Sequence, residues 1–485
     1  MNSSTLHADA CVVGGGAGGA VVAAELAEGG ANVVVLEQGP EHDANGFTAR
    51  PPQMLARLYR DGGQTMTLGL PPIGLPLGRG IGGTTLINSG TCFRTPAHVL
   101  DQWRTNFGLE LDEASLAPCF AQVERALSVA EVAPDLAGRN AAVIRRGAER
   151  LGWSHGYLKR NARGCVGSGV CAFGCPTSAK QHTGITYVPR ARAAGATVLT
   201  GTDVRRVLVH GQRGAGVQGR QATGVLARTA DGRGVEVRAP LVVIAAGTIH
   251  TPILLARSGI GGASGQLGRN LSLHPATAAV ARMEDRVDMA RGVPQSFYVD
   301  EFAREGIMLE TIAGPPAYVA MSLPLTGRAH ADAMAAYPHL AQVGLMVCDQ
   351  GRGEVRSVGR RALIRYDLGR AEVDKFRAGI ARLDALLRAA GAREVYLPLP
   401  RGVVATRARA RDLKLMAFHP LGTARADARA AHGVVDGDLA VHGVAGLYVA
   451  DASVLPSAPG VNPQMTIMAL ATRLAYHLQG VTCPS

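Results

Sequence analysis

The stretch that decides the fold runs from Asp9 to Gly39 and reads DACVVGGGAGGAVVAAELAEGGANVVVLEQG. The short apolar run Ala10–Val13 is typical of a buried strand, and the run from Ala20 to Ala27 consists mostly of helix formers. A second strand is predicted from Asn32 to Leu36. A glycine cluster separates the first strand from the helix. The pattern therefore predicts a strand–turn–helix–strand unit.

The glycines of this turn, Gly14, Gly16 and Gly19, have the spacing G-x-G-x-x-G. The first permits a tight turn, the second lets a pyrophosphate approach the backbone, and the third lets the helix pack closely on the strand. The free N–H groups and the positive dipole of the helix N-terminus favour the pyrophosphate. Glu37, 18 residues after Gly19, is placed to accept hydrogen bonds from a ribose. The unit predicts an adenine dinucleotide site but does not separate NAD from FAD.

The composition excludes some classes of partner. The 485 residues suit either about three domains or one large enzyme core. A net charge of +12 invites a nucleic-acid interpretation, but the arginines are scattered and only 4% of residues are aromatic. Because the chain also shows no nucleic-acid-binding motif, we expect no nucleic-acid partner and a basic, solvated surface.

The N-terminus and the cysteines indicate a compartment. The first ten residues, MNSSTLHADA, are polar and carry no secretory signal. The sequence contains no apolar run of about 18 residues, so no transmembrane segment is expected. Eight cysteines in so long a chain do not make a disulfide scaffold. We therefore expect a cytoplasmic protein.

The rest of the chain divides by pattern. Residues 40–75 are rich in Pro and Gly and are expected to be irregular, whereas residues 97–160 have helical periodicity. The run Leu241–Ala246 is typical of a buried parallel strand. Residues 276–399 predict short strands with one helix, Ala371–Ala390. The tail predicts a strand ending on Asp451, which returns to the first sheet, and a final helix from about Pro463.

Six motifs occur along the chain in a fixed order. They are VVGGGAGG at 12–19, GRGIGGTTLIN at 78–88, GTIHTPILLARSGIG at 247–261, GRNLSLHP at 268–275, FHPLGT at 418–423 and GLYVADASVLPSAPGVNPQMTIMALA at 446–471. With these motifs the chain resembles the glucose–methanol–choline (GMC) oxidoreductases over essentially its full length. Alone, the segment at 78–88 is equally typical of a glycine-rich turn.

The resemblance implies an α/β fold with two parts. The first is a discontinuous, Rossmann-like FAD-binding domain, formed by residues 1–95, 160–275 and 410–485. The second is an α+β substrate domain built on a mostly antiparallel sheet, with residues 96–159 and 276–409 as its helical and substrate-binding portions. The implied reaction is oxidation of an alcohol to a carbonyl compound by hydride transfer to flavin N5.

The resemblance also implies the cofactor residues. Carried over position by position, they are Gly14, Gly16, Gly19, Glu37, Gly82, Gly83, Thr84, Asn88, Val204, Asp451, Ala452 and Pro463. Some family members tether FAD through a histidine just before the asparagine of the GG-x-x-x-x-N segment. That position is Ile87 here, so we expect non-covalent FAD.

The catalytic pair of the family falls on His419 and Asn462. Neutral imidazole is the natural acceptor for the hydroxyl proton at physiological pH. The asparagine amide cannot take the proton, but its N–H can hold the substrate oxygen as it gains alkoxide character. His274 is interpreted as structural. If His419 is not the base, a carboxylate of the second domain such as Glu310 is the alternative.

One stretch goes beyond the common motifs. Cys165, Cys171 and Cys175 have the spacing C-x5-C-x3-C-P in a glycine-rich loop. Iron–sulfur clusters take thiolates from such runs, and the family branch resembling cytochrome-linked sugar dehydrogenases carries one. The alternative function is therefore a dehydrogenase subunit that passes electrons through a cluster to a quinone or cytochrome. Buried thiols in a tight loop are the other interpretation, and zinc is disfavoured because no fourth ligand is nearby.

Other classes of function remain open from sequence. They are an NAD-dependent dehydrogenase, a flavin-containing lyase such as the hydroxynitrile lyases, and a non-catalytic flavoprotein partner. The identity of the alcohol also remains open, as does the electron acceptor, which is oxygen, a quinone or a redox protein.

Overall fold

The computed structural model describes residues 3–211, 219–359 and 361–483. Its strands are β1 (Ser3–His7), β2 (Ala10–Val13), β3 (Val33–Leu36), β4 (Ile73–Gly74), β5 (Val129–Glu131), β6 (His155–Tyr157), β7 (Lys159–Asn161), β8 (Thr197–Leu199), β9 (Thr202–His210), β10 (Gln221–Thr229), β11 (Gly234–Arg238), β12 (Leu241–Ile244), β13 (Pro275–Arg282), β14 (Phe297–Val299), β15 (Ile307–Thr311), β16 (Leu340–Val347), β17 (Glu354–Val358), β18 (Arg361–Arg365), β19 (Glu394–Tyr396), β20 (Leu415–Ala417) and β21 (Leu447–Val449). Its helices are α1 (Ala17–Glu28), α2 (Pro51–Leu58), α3 (Ala97–Phe107), α4 (Glu113–Ala126), α5 (Pro134–Leu151), α6 (Tyr187–Ala193), α7 (Thr251–Arg257), α8 (Pro316–Ser322), α9 (Gly327–Ala335), α10 (Arg370–Ala389) and α11 (Gln464–Leu478).

A five-stranded parallel sheet forms the Rossmann-like part of the fold. Its strand order is β21–β12–β2–β3–β8, with Val12 of β2 opposite Val243 of β12 and Val35 of β3. Every residue of β2 and β3 is buried, as the continuous apolar runs predict for a sheet covered on both faces. Helix α1 packs against α6 and α11. The predicted strand–turn–helix–strand unit is confirmed, and β21 does return to this sheet.

A second sheet has the order β4–β20–β13–β16–β15–β14–β6. In the described residues its pairings are antiparallel except that of β4 with β20, which is parallel. Strand β16 is buried along its whole length, and α10 packs on it together with α5. The predicted α/β fold with a mostly antiparallel second sheet is thus confirmed.

The helices of residues 96–159 divide between two hydrophobic cores. Helix α4 packs on α11 and contributes Phe120 and Val123 to the core of the parallel sheet. Helix α5 packs on α10 and contributes Ile144 to the core of the antiparallel sheet. The predicted domain boundaries stay a prediction, but these helices do not act as one unit.

Two local predictions were wrong. Residues 40–75 were expected to be irregular, yet α2 forms there and buries Met54 and Leu58, which lie four residues apart on one face. Its leading Pro51 suits a first helical turn. Residues 276–399 contain α8 and α9 in addition to α10. Only Val319 of α8 and Ala333 of α9 are buried, so these short helices have no apolar periodicity to reveal them.

Candidate active site

A cavity of about 640 Å³ is lined by residues of both sheets. The parallel sheet contributes the residues that follow the carboxyl ends of its strands, where open α/β sheets bind ligands. The antiparallel sheet contributes Ala276, Glu310 and residues 344–346. The predicted site residues that line the cavity are Gly14, Gly16, Glu37, Gly83, Thr84, Asn88, Val204, His419, Asp451, Ala452, Asn462 and Pro463, together with Ile87.

Two predicted cofactor residues do not line the cavity. A Cβ on Gly19 would lie 2.0 Å from the backbone oxygen of Gly14, so this glycine lets α1 pack on the preceding turn. Gly82 has a φ of +97°, a conformation that favours glycine, and supports the turn beside Gly83. Both positions shape the backbone behind the wall of the cavity.

In the turn before α1, Gly14 is packed tightly against neighbouring backbone, whereas Gly16 has open space beside it. A Cβ on Gly14 would lie 2.3 Å from the backbone oxygen of Ala245, whereas one on Gly16 would meet nothing closer than Gly83 Cα at 3.9 Å. Gly18 was missed by the motif, yet a Cβ there would lie 1.8 Å from the backbone oxygen of Ala450. The close packing of α1 against the end of β21 therefore depends on Gly18, a position that the spacing G-x-G-x-x-G does not specify.

Glu37 is buried at the end of β3. Its Oε2 accepts a hydrogen bond from the Gly15 N–H at 3.0 Å, and its Oε1 accepts one from the Gly39 N–H at 2.7 Å. Burial raises the pKa of Glu37, and the two N–H groups partly offset this rise. Each oxygen keeps a lone pair, so the carboxyl both fixes the glycine turn and can accept a further hydrogen bond.

Asp451 connects two strand ends. Its Oδ2 accepts hydrogen bonds from the Gly247 N–H at 2.8 Å and from Thr251 Oγ1 at 2.5 Å, and its Oδ1 accepts one from the Ser453 N–H at 2.8 Å. These bonds hold the turn that opens α7 against the end of β21. Burial raises the pKa of Asp451, while its hydrogen bonds oppose the rise.

His419 and Asn462 meet in the cavity wall. The Nε2 of His419 lies 3.5 Å from the Nδ2 of Asn462. The Nδ1 of His419 and the Oδ1 of Asn462 have no hydrogen-bond partner among the described residues. Burial lowers the pKa of His419 well below its usual value of 6.5, and the neighbouring His274 lowers it further. The imidazole is therefore neutral at physiological pH and has unused hydrogen-bonding capacity.

Glu310 adds a buried carboxyl to this pair. It lies on β15 and accepts a hydrogen bond from Gln295 Nε2 at 2.6 Å, and Gln295 in turn accepts one from Thr91 Oγ1 at 3.1 Å. Burial raises the pKa of Glu310 to about 7, with the amides of Asn462 and Gln295 opposing the rise. A group that titrates near neutral pH thus lies beside the amide of Asn462.

His274 packs edge-on against His419, with ring centroids 5.4 Å apart. Its Nε2 accepts a hydrogen bond from the Gly460 N–H at 3.1 Å, which ties it to the loop before Asn462. Burial lowers the pKa of His274 to about 3. Its contacts agree with the structural interpretation, although it also borders the cavity.

The three cysteines do not form a ligand set. In residues 3–211, 219–359 and 361–483, no group of three or more His, Cys, Asp or Glu is positioned to hold a metal ion. Cys171 Sγ instead accepts a hydrogen bond from Arg160 Nη2 at 3.2 Å, and Cys175 Sγ accepts one from the Lys180 N–H at 3.5 Å. Cys165 is partly buried and packs against the hydrophobic core of the antiparallel sheet. The iron–sulfur hypothesis, and the cluster-linked dehydrogenase built on it, therefore have no support.

Lys180 gives the loop a different role that the sequence did not reveal. Its fully buried ammonium donates to the backbone oxygens of Leu86 at 2.8 Å, Asn88 at 2.7 Å and Cys171 at 2.9 Å. Burial lowers the pKa of Lys180 to about 8, and the thiols of Cys171 and Cys175 oppose this. The lysine thus fastens the cysteine loop to the segment that lines the cavity. A lone lysine in a polar loop carries no sequence signal for this.

Comparisons with known proteins agree with these findings. Two family models described as GMC oxidoreductase match the chain, the N-terminal one at residues 55–276 and the C-terminal one at residues 349–471. A model of an NAD(P)-binding Rossmann-like domain matches residues 12–69.

An uncharacterized GMC-type oxidoreductase of Mycobacterium tuberculosis is 43% identical over 97% of this chain and 76% of its own length. A long-chain-alcohol oxidase of Arabidopsis thaliana is 28% identical over 97% of this chain and 67% of its own length. The solved structure of an Aspergillus oryzae formate oxidase variant has a TM-score of 0.78 at 18% identity, and covers 97% of this chain and 98% of that one. The chain therefore belongs to the GMC oxidoreductase family and is a flavoprotein oxidoreductase.

Proposed function

We propose that the protein oxidises the CH–OH group of a small-molecule alcohol to a carbonyl group with non-covalently bound FAD. The observation that carries the proposal is the pairing of His419 Nε2 with the Asn462 amide, 3.5 Å apart, in the cavity that the glycine turn also lines. A proton acceptor and a hydrogen-bond donor are thus close enough to contact one substrate oxygen.

The residues present fit FAD. The backbone at Gly16 is open, since a Cβ there would meet nothing closer than 3.9 Å, and this leaves room for the pyrophosphate, which the N-terminus of α1 favours. Glu37 has lone pairs left for ribose hydroxyls. Ile87 is buried and has no nucleophilic atom, so it supports non-covalent binding. When bound, FAD supplies the acceptor for the hydride of the alcohol carbon.

His419 takes the hydroxyl proton in this proposal. Its depressed pKa keeps it neutral, the form that can accept a proton, and its Nε2 lies beside the Asn462 amide in the cavity wall. General bases of this kind contribute about 10²–10⁴-fold to rates. Loss of the proton raises electron density on the substrate oxygen, so the adjacent C–H bond gives up its hydride more readily.

Asn462 holds the substrate oxygen. Its amide N–H donates to the oxygen as alkoxide character develops, in the manner of an oxyanion-hole donor. The ionised form of Glu310 competes with the substrate oxygen for the same amide, whereas its protonated form does not. Glu310 is thus a positioning residue for Asn462.

The lining supports an alcohol with an apolar skeleton. Phe173, Tyr318, Met321, Met346 and Met416 border the cavity near the antiparallel sheet. Flexible methionines adapt to hydrocarbon of varied shape. The relationship to a long-chain-alcohol oxidase points in the same direction.

Anaerobic titration with a panel of alcohols, followed at the flavin absorbance, tests the proposal. We expect bleaching of the flavin by aliphatic alcohols of increasing chain length and release of the carbonyl product. A flavin that stays oxidised with every alcohol, or reduction of NAD without any change of the flavin, would overturn it.

A further inference from the structure

A row of exposed apolar side chains leads away from the cavity. The extended segment after Gln64 places Met66, Leu68 and Leu70 on its outer side, where they are 51%, 59% and 54% exposed. The intervening Thr67 is buried and accepts a hydrogen bond from the Ile73 N–H. Alternation of this kind is the pattern of a strand with one face inward, but here the outward face is apolar rather than polar.

The row continues on neighbouring strands. The Leu68 N–H donates to the backbone oxygen of Ile364 at 2.7 Å, and Leu68 pairs with Arg365. Because side chains two residues apart share a face, Leu363 lies on the same side as Leu68. A Cβ placed on Gly74 would lie 3.7 Å from Met66 Sδ and 3.9 Å from Met416 Cγ, so the side chains of these two methionines lie near each other, beside Gly74.

The row ends at the mouth of the cavity. Met321 and Met416 line the cavity yet are 52% and 41% exposed, which places both at its opening. Lys414 Nζ donates to the backbone oxygen of Met321 at 2.5 Å and joins the two methionine segments. We call these six side chains the apolar ridge: Met66, Leu68, Leu70, Met321, Leu363 and Met416.

The chain segment that leads to Met416 of the apolar ridge is rich in basic residues. Between residues 401 and 416 the side chains of Arg401, Arg407, Arg409, Arg411 and Lys414 are exposed, and this stretch contains one acidic residue, Asp412. Asp367, whose Oδ1 accepts a hydrogen bond from the Leu70 N–H at 3.1 Å, is an acidic neighbour of the ridge, and Arg365 pairs with it. Residues 64–72 contain no charged side chain. The chain as a whole carries a net charge of +12. An apolar strip beside excess positive charge is the surface that binds anionic lipid headgroups and the acyl region beneath them.

The same charges disfavour the other occupant of an apolar strip. A second copy of this chain would bring two basic segments together, and like charges placed opposite each other oppose association. Exposed contiguous apolar residues mark an interaction site, and the neighbouring positive charges favour a partner that carries negative charge.

We propose that the apolar ridge docks onto an anionic lipid surface and turns the cavity mouth toward the bilayer, so that an apolar alcohol enters from the lipid. The route of the substrate rests on the proposed function, whereas the docking does not. Docking needs no membrane-spanning element, and in the described ranges no helix combines the length and the apolar character needed to cross a bilayer.

Flotation of the flavin-loaded protein with vesicles, without any alcohol, tests the docking. We expect binding to phosphatidylcholine vesicles containing about one-third phosphatidylglycerol, and weaker binding to pure phosphatidylcholine or at high salt. The double variant Leu68→Ser/Leu70→Ser should bind the anionic vesicles at least about tenfold more weakly, since two half-exposed leucines are removed. Neither leucine lines the cavity, so flavin reduction by a short, water-soluble alcohol should be unchanged.

A matched control removes apolar side chains elsewhere. Leu226→Ser/Val481→Ser changes two residues that are 38% and 53% exposed and lie outside the ridge, and it should bind like the unaltered protein. If the leucine variant is misfolded by circular dichroism, Arg411→Gln/Lys414→Gln replaces it and should lower binding to anionic vesicles alone.

Three results would overturn the docking. They are absence of binding to anionic vesicles at low salt, equal binding by the variants and the unaltered protein, and a dimer in solution that the leucine variant dissolves. The last result would assign the ridge to self-association. Because vesicle binding is measured without substrate, failure of the docking is distinguishable from failure of the proposed oxidation.

Discussion

The glycine turn at residues 14–19 and the cysteine loop at residues 165–180 both support the cavity, but only the first was understood from sequence. The turn acts through backbone geometry within one local unit, so the spacing of its glycines already specifies its shape. The loop acts through Lys180, whose ammonium reaches Leu86 and Asn88 more than 90 residues away in sequence. A motif such as the glycine spacing is therefore informative where the groups it contacts are close in sequence. The cysteine spacing was misleading because it suits a metal cluster, whereas the fold does not bring the three cysteines together as ligands.

The first test breaks the glycine turn at the position that the motif left out. Gly18→Ala places a Cβ 1.8 Å from the Ala450 oxygen, and we expect a loss of at least about 4 kcal/mol in the free energy of unfolding. Urea unfolding measures it, and the purified variant should also lack flavin.

The control for this variant is Gly262→Ala. A Cβ on this exposed glycine meets nothing within 4 Å, so the free energy of unfolding should change by no more than about 0.5 kcal/mol. A Gly18 variant as stable as the control would show that α1 does not depend on close contact with β21.

The second test breaks the cysteine loop at its lysine. Lys180→Met keeps the volume but leaves three backbone oxygens without their donor, and we expect a loss of about 3 kcal/mol in the free energy of unfolding. The off-rate of flavin, followed by its fluorescence, should rise because the segment at residues 86–88 is released. If Lys180→Met is destabilised but its flavin off-rate is unchanged, Lys180 stabilises the fold without holding the cofactor segment in place.

The third test concerns Glu310, which neither region contains. Its folded pKa of about 7 lies above that of an ordinary carboxyl, so the stability it contributes is complete at acid pH and is lost as pH rises toward 7. Glu310→Gln cannot ionise. Relative to the unaltered protein, the variant should therefore gain roughly 2–3 kcal/mol between about pH 4.5 and pH 8.

Unfolding by urea at several pH values measures this difference, with the exposed Glu110→Gln as the control. A stability difference between Glu310→Gln and the unaltered protein that does not vary with pH would show that the carboxyl titrates normally.

The smallest effect is expected at Cys165. Because no metal group is assembled around it in the described residues, Cys165→Ala should change the free energy of unfolding by less than about 1 kcal/mol and leave the flavin content unchanged. Iron should remain at background in anaerobic preparations of both proteins. About three irons per flavin, lost in the variant, would restore the iron–sulfur hypothesis, for which the described residues offer no ligand group.

The sequence predicted more of the fold than of the site. The βαβ unit, the return of β21 and the helices α10 and α11 followed from long apolar runs and clear periodicity. Helices α8 and α9 did not, because each buries a single residue. His419 and Asn462 were placed together through their motifs, whereas the network of Thr91, Gln295 and Glu310 joins loop residues 204 positions apart in the chain, which no local pattern encodes.

The central claim is that His419 takes the hydroxyl proton while Asn462 holds the oxygen. Single-turnover flavin reduction separates this chemistry from reoxidation of the flavin. Asn462→Ala, the matched variant, should slow reduction by about 10²–10³-fold, as for a lost oxyanion donor.

His419→Ala is the most direct test. We predict that it keeps its fold and its FAD but reduces the flavin about 10²–10⁴-fold more slowly, as expected for a missing general base. Flavin reduction at a rate near that of the unaltered protein would contradict the account, since the proton would then leave through another group.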